Sequence, residues 1–149
     1  MKKILLLICL VFFANAKEFH IGDNIGSFSL LDQFDTKHTI NKDVKTILVS
    51  FEKQTSKDIN EFLNSKSPTF LKEHNAVFIA NISGMPSIIT KLFALPKMRD
   101  YKHKILLIYD EADTRFKSAE EKSTLYRLED GVIKQIEFIT KDDLEKVFK

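Results

Sequence analysis

Three short apolar segments, TILVSF (46–51), AVFIANI (76–82) and KILLIYD (104–110), constrain this chain more than anything else in it. Each is rich in β-branched or aliphatic residues at successive rather than alternate positions, and each is shorter than a typical helix. Such runs predict strands covered on both faces. Between the first two, Ile59, Phe62 and Leu63 fall at i, i+3 and i+4, the spacing of an amphipathic helix. Ser67 before Pro68 predicts an N-cap and a second helical turn through Leu71. Between the second and third segments, Pro86 opens a helix carrying Ile88, Ile89, Leu92 and Phe93, and Pro96 is predicted to stop it. Helices between buried strands imply parallel crossovers.

The C-terminal third reads differently. Residues 112–121 predict a short helix or a loop. Segments 123–128 and 132–139 flank Glu129-Asp130-Gly131, and Asp-Gly is a strong hairpin signal. Ile136 and Phe138 alternate with Gln135 and Glu137, as in a half-buried strand. Thr140 with Asp143 three residues on forms a capping box for a last helix, whose apolar stripe is Leu144, Val147 and Phe148. Strand-like pieces near 28–30 and 38–40 precede the first buried segment. The order predicts a three-layer α/β sandwich with a mixed central sheet, closed by a C-terminal β-hairpin and helix.

The first residues predict export. Lys2 and Lys3 precede an apolar run from Ile4 to Ala14, and Ala14-Asn15-Ala16 supplies a small-x-small cleavage pattern. A membrane anchor needs about 20 apolar residues, so this segment reads as a signal peptide and not as an integral membrane span. Ile8 stands before Cys9 where a lipoprotein signal would carry a small residue. Cleavage after Ala16 leaves 17–149 as a single domain in a periplasm-like compartment. It also removes Cys9, the sole cysteine, so neither a disulfide nor thiol chemistry remains. The 23 basic and 21 acidic residues leave a formal +2, which Lys2 and Lys3 account for. A balanced domain without a basic cluster does not point to nucleic acid.

These segments together resemble the thioredoxin-like superfamily, in the branch holding the peroxiredoxins. The likeness rests on IGDNIGSFSLLDQF (21–34), KTILVSF (45–51), ILLIYDE (105–111) and STLYRLEDGVIKQI (123–136). QTSKDI (54–59) and VFIANIS (77–83) bring it nearest to cysteine-less exported proteins of the YtfJ type. The resemblance implies a thioredoxin-like fold and supplies no reaction. A thioredoxin would carry Cys-x-x-Cys around 56–59, and a peroxiredoxin one cysteine near there; this chain has Gln54-Thr55-Ser56-Lys57-Asp58. Lys122 stands where thioredoxins place a cis-proline and is similarly placed to the peroxiredoxin arginine that assists peroxide cleavage.

Two readings of function follow. The first is a non-enzymatic binding or accessory module, with a protein partner of unknown identity and no cofactor. The second is a non-thiol enzyme or an anion or small-ligand binder using Thr55, Ser56, Lys57 and Lys122, with Tyr126 as a further candidate. At the helix start, Thr55 and Asp58 fit a capping box, which competes with an anion for the same amides. His20, His38, His74 and His103 lack metal-ligand spacing and read as surface or loop residues. Trimming of Lys17 would place His20 third, in an amino-terminal copper(II) or nickel(II) pattern. The basic run 97–104 reads as a solvated loop in preference to a partner surface. Asp110, Glu111 and Asp113 lack the calcium-loop pattern. FALPKM (93–98) offers either a small exposed apolar patch or a capped core helix.

Overall fold

The computed structural model describes residues 17–149; the predicted signal peptide and Cys9 lie outside the described residues. In chain order the strands are β1 (Phe28–Asp32), β2 (Lys37–Ile40), β3 (Thr46–Ser50), β4 (Ala76–Asn81), β5 (Leu106–Ile108), β6 (Ser123–Glu129) and β7 (Val132–Ile139). Helix α1 (Lys53–Asn64) and the single turn α2 (Phe70–Glu73) join β3 to β4. Between β4 and β5, α3 (Ser87–Ile89) runs through a π-helical segment (Thr90–Ala94) into α4 (Leu95–Arg99). A 3-10 turn (Lys141–Asp143) leads into α5 (Leu144–Val147).

These strands form one mixed sheet in the order β2-β1-β5-β4-β3-β6-β7. β3, β4 and β5 are parallel, whereas β1–β5, β3–β6 and the two flanking hairpins are antiparallel. Residues 46–50 of that first segment thus lie within the sheet, with β4 and β6 as neighbours. The β6–β7 hairpin turns at Asp130 and Gly131, both at positive φ (49° and 79°), as a twist-matched two-residue turn requires.

Alternation along the three parallel strands builds a core on each face. Leu48, Phe78, Ala80, Ile105, Leu107 and Leu125 pack against Ile59 and Leu63 of α1, Leu71 of α2, Leu95 and Met98 of α4, and Leu144 and Val147 of α5. Ile47, Val49, Ile79, Leu106, Ile108 and Tyr126 face the other way, against Phe19, Ile25 and Phe116. The helical layer is therefore on one side. β3→β4→β5 steps in one direction across the sheet, and right-handed crossovers taken in one direction share a face. Residues before β1 and between β5 and β6 form the third layer, the latter as loop, sealed by edge-on contacts among Phe19, Phe28, Phe116 and Tyr126.

Three helix boundaries differ from expectation, each for a local reason. Helix α1 starts at Lys53 with Glu52 as its cap, so the Thr55–Asp58 capping box does not form. The Glu52 amide instead donates to the Thr55 hydroxyl (3.4 Å), which in turn donates to the Glu52 carbonyl (3.1 Å). Asp58 accepts from the Gln54 amide group at 2.8 Å. Helix α2 begins at Phe70, after Thr69, later than Ser67-Pro68 suggested. Pro96 does not stop its helix: α4 carries it near the start and continues to Arg99. The preceding π turn makes this possible. The Leu95 amide donates to the Thr90 carbonyl five residues back, which widens the ladder where the proline ring would otherwise meet it. The Thr140–Asp143 capping box forms as predicted, with the Thr140 amide donating to Asp143 at 3.0 Å.

Candidate functional site

Where β3 and β4 end, the chain leaves the sheet twice within a few ångströms. After Ser50 it turns at Phe51 and Glu52 into α1; after Asn81 it runs through Ile82, Gly84 and Met85 into α3. Both exits turn to the same face of the sheet, so α1 and the segment from α3 to α4 stand side by side over the strand ends. Here they bound a cleft of about 630 Å³, within the range of small-molecule sites. Its walls are Phe51 and Asn60 on one side and Ile89, Phe93 and Met98 on the other, with Ala80, Ile82 and Met85 between them.

The floor carries one polar anomaly. Ser50 shares a face with Leu48, is 1% exposed, and its hydroxyl has no hydrogen-bond partner. Leaving a buried hydroxyl unpaired costs about 1–3 kcal/mol. Beside it, Asn60 is buried and its side-chain oxygen lies 2.8 Å from His103 Nε2. His103 is itself only 4% exposed, which overturns its reading as a surface or loop histidine. Gln33 ties this pair to the sheet, donating to the His103 carbonyl (2.9 Å) and accepting from the Ile105 amide (2.9 Å). Burial pulls the His103 imidazole down to about 4. It is neutral at physiological pH, so its bond to Asn60 is that of a neutral donor.

Cations predominate at the rim of the cleft. Lys53, Lys57 and Lys97 line it together with a single acid, Glu52. The Glu52 carboxylate accepts from the Glu121 amide at 3.0 Å, a bond that fixes the start of α1 against the turn before β6. Lys57 is half exposed and sits 3.7 Å from Glu61. The helix wall adds no acid: residues 83–99 contain Lys91, Lys97 and Arg99 and no carboxylate.

The sequence-derived candidates divide between two places. Ser56 and Lys57 line the cleft. Thr55 is buried and faces a different, minor recess with Ser123 and Thr140. Lys122 is exposed beside a tight turn closed by its own amide on Ala119 (3.2 Å), and it is not among the residues lining the cleft. The Ser56 amide is engaged by the Glu52 carbonyl at 2.9 Å and the Thr55 amide by the Glu52 side chain, so neither of these two is free for an anion. Tyr126 lies on the other face of the sheet. Burial pushes its phenol up to about 12, and its oxygen accepts from the Lys117 amide at 2.7 Å. It is a structural residue.

The remaining motifs are placed as follows. Leu95 and Met98 of FALPKM are buried in the core, while Ile88, Leu92 and Phe93 one turn earlier are more than 60% exposed. The basic run begins inside α4: Arg99 donates to the Gln33 carbonyl (2.8 Å) and Lys104 lies 3.1 Å from His38. The His38 ring also contacts Asp32 at 2.7 Å. Near the start of the domain, the Phe19 amide donates to the Arg115 carbonyl (2.8 Å) and the His20 amide to Asp23 (2.8 Å). An amino-terminal copper site would need both of those amides. No helix among the described residues is long and apolar enough to cross a membrane.

Sequence reasoning missed Ser50 and the Asn60–His103 pair. A signal for the first was available: in TILVSF, Ser50 has the same parity as Leu48, so a lone hydroxyl falls on a core-facing position.

Comparison with solved structures gives the fold. The chain is similar to peroxidoxin BcpB from Mycobacterium tuberculosis, with a TM-score of 0.56 at 15% identity over 87% of this chain and 95% of that one. A peroxiredoxin-like protein from Aquifex aeolicus superposes with a TM-score of 0.54 at 9% identity, over 89% and 88%. The thioredoxin domain of a thiol-disulfide oxidoreductase from Bacteroides vulgatus gives 0.54 at 14%, over 89% and 100%. The sequence matches no protein-family model and none of the curated proteins compared with it. The fold is thioredoxin-like.

Proposed function

We propose that this protein is an exported module that keeps a thioredoxin-like scaffold without thiol chemistry and works by binding at the cleft beside α1. One observation carries the reading. The cleft opens where the polypeptide enters α1, and the residues there are Gln54-Thr55-Ser56-Lys57-Asp58, in a body from 17 to 149 that contains no cysteine. Without a thiolate there is neither nucleophile nor redox couple for disulfide exchange or peroxide reduction. What remains is concave, apolar and rimmed by cations, which suits recognition.

The alternative, a non-thiol enzyme or anion binder built from Thr55–Asp58 with Lys122, is supported in its Ser56–Lys57 part, because those two side chains border the cleft. The test has two arms. Intact-mass measurement of the exported protein should give a chain beginning at Lys17. Insulin-reduction and peroxide-consumption assays on it should give only background. Retention of Cys9, or turnover above background, overturns the proposal.

A further inference from the structure

We infer that the cleft takes a single amphipathic anion, with the apolar chain of a carboxylate against its walls and the charged head at the lysine rim. This rests on the reading above and specifies its ligand. The walls select the body: Ala80, Ile82, Met85, Phe93 and Met98 offer aliphatic, thioether and aromatic surface, and methionines there adapt to a flexible chain. The rim selects the head. Lys53 and Lys57 on α1 and Lys97 on α4 border the opening and outnumber the one acid that lines it, Glu52; Glu61, 3.7 Å from Lys57, is not among the lining residues.

The fold argues against an extended peptide as occupant. Peptides that add to sheets need an open edge, and β3 and β4 are paired on both sides. The two lips are helical segments, and the space between them ends on buried side chains. Beneath it, the Ser50 hydroxyl is unpartnered and buried on the cleft-facing side of β3. Phe93, 66% exposed although it borders the cleft, is apolar surface that a bound chain would cover.

The experiment is isothermal titration of the protein, purified from its export compartment, with dodecanoate, decanoate and dodecyltrimethylammonium below their micellar concentrations and dodecanol below its solubility limit. One-site binding of dodecanoate is the expected result. Affinity should fall by up to about fourfold per methylene removed, the factor for burying each CH₂. Dodecanol should bind more weakly than dodecanoate, and the cation more weakly still. Replacing Lys53, Lys57 and Lys97 by Gln should bring dodecanoate down to the level of dodecanol without affecting dodecanol itself. Phe93→Ser should weaken both; all four side chains are at the surface, so these variants fold, as circular dichroism would verify. Non-saturable uptake, equal affinity for anion and cation, or indifference to Phe93→Ser overturns the inference. So does binding seen only with phosphatidylglycerol vesicles, which would assign the surface to a membrane. Absence of dodecanoate binding with thiol assays still at background would reject the ligand class and leave the binding module standing.

Discussion

Two helical segments leave the same end of the sheet, after β3 and β4, and they follow opposite rules. Helix α1 is amphipathic in the ordinary sense: Ile59 and Leu63 are buried, while Lys57 and Glu61 face water. The segment from Ser87 to Arg99 buries Thr90, Leu95 and Met98 and leaves Ile88, Ile89, Leu92 and Phe93 outside. A helix that turns its larger apolar side chains to solvent gains nothing from them in folding. The first wall of the cleft is thus explained by stability. The second is explained by stability only at Leu95 and Met98, and its Ile89 and Phe93 are apolar surface left open at the cleft.

The sharpest way to break this contrast is mutational. Leu63→Ala in α1 should cost about 2–5 kcal/mol in denaturant unfolding, as large-to-small core changes do. Phe93→Ala, on the opposite lip, should stay within about 0.5 kcal/mol, the usual range for surface sites. Comparable losses at both positions would mean that Phe93 is part of the core and that the cleft is misread.

Acid tests the buried polar pair beneath α1. His103 titrates near 6.5 when unfolded and near 4 when folded, because burial disfavours its charged form. Above pH 6.5 neither state is protonated there and the contribution is fully present. As pH falls from 6.5 to 4, the unfolded chain binds a proton that the folded one refuses, so stability declines, by at most about 3 kcal/mol. His103→Gln, compared with wild type in urea melts across that window, should flatten this slope. An unchanged slope would place the titrating group elsewhere.

Smaller effects refine the picture at the floor and at the helix start. Ser50→Ala should raise stability by about 1 kcal/mol, since it removes an unpaired hydroxyl; a loss of that size would reveal a hydrogen bond to the hydroxyl. Thr55→Ala should cost about 1 kcal/mol through the lost cap, and Asp58→Ala less. The reverse ranking would move the start of α1 back to where its sequence suggested.

Most of the fold was legible because the parallel strands are continuous apolar runs and the hairpin turn is an Asp-Gly pair. These signals are local and strong. The start of α1 was misplaced because two capping patterns overlap, Glu52-x-x-Thr55 and Thr55-x-x-Asp58. The first forms, since β3 ends at Ser50 and the chain must turn at once. Pro96 misled because a proline normally ends a helix, and a π turn is not visible in composition. The cleft was only half legible. Ser56 and Lys57 belong to it, but Met85, Phe93 and Lys97 reach it from 28 residues or more beyond Lys57, through the crossover geometry.

The most direct test of the account is a photo-crosslinking residue placed at position 93 and, separately, at Phe34, another exposed apolar residue (56% against 66% for Phe93), in the β1–β2 turn. Irradiated in intact cells and read by intact mass, position 93 should yield an adduct of defined mass that position 34 does not. Equal labelling at the two positions, or none at position 93, would contradict the claim that the cleft is the working surface.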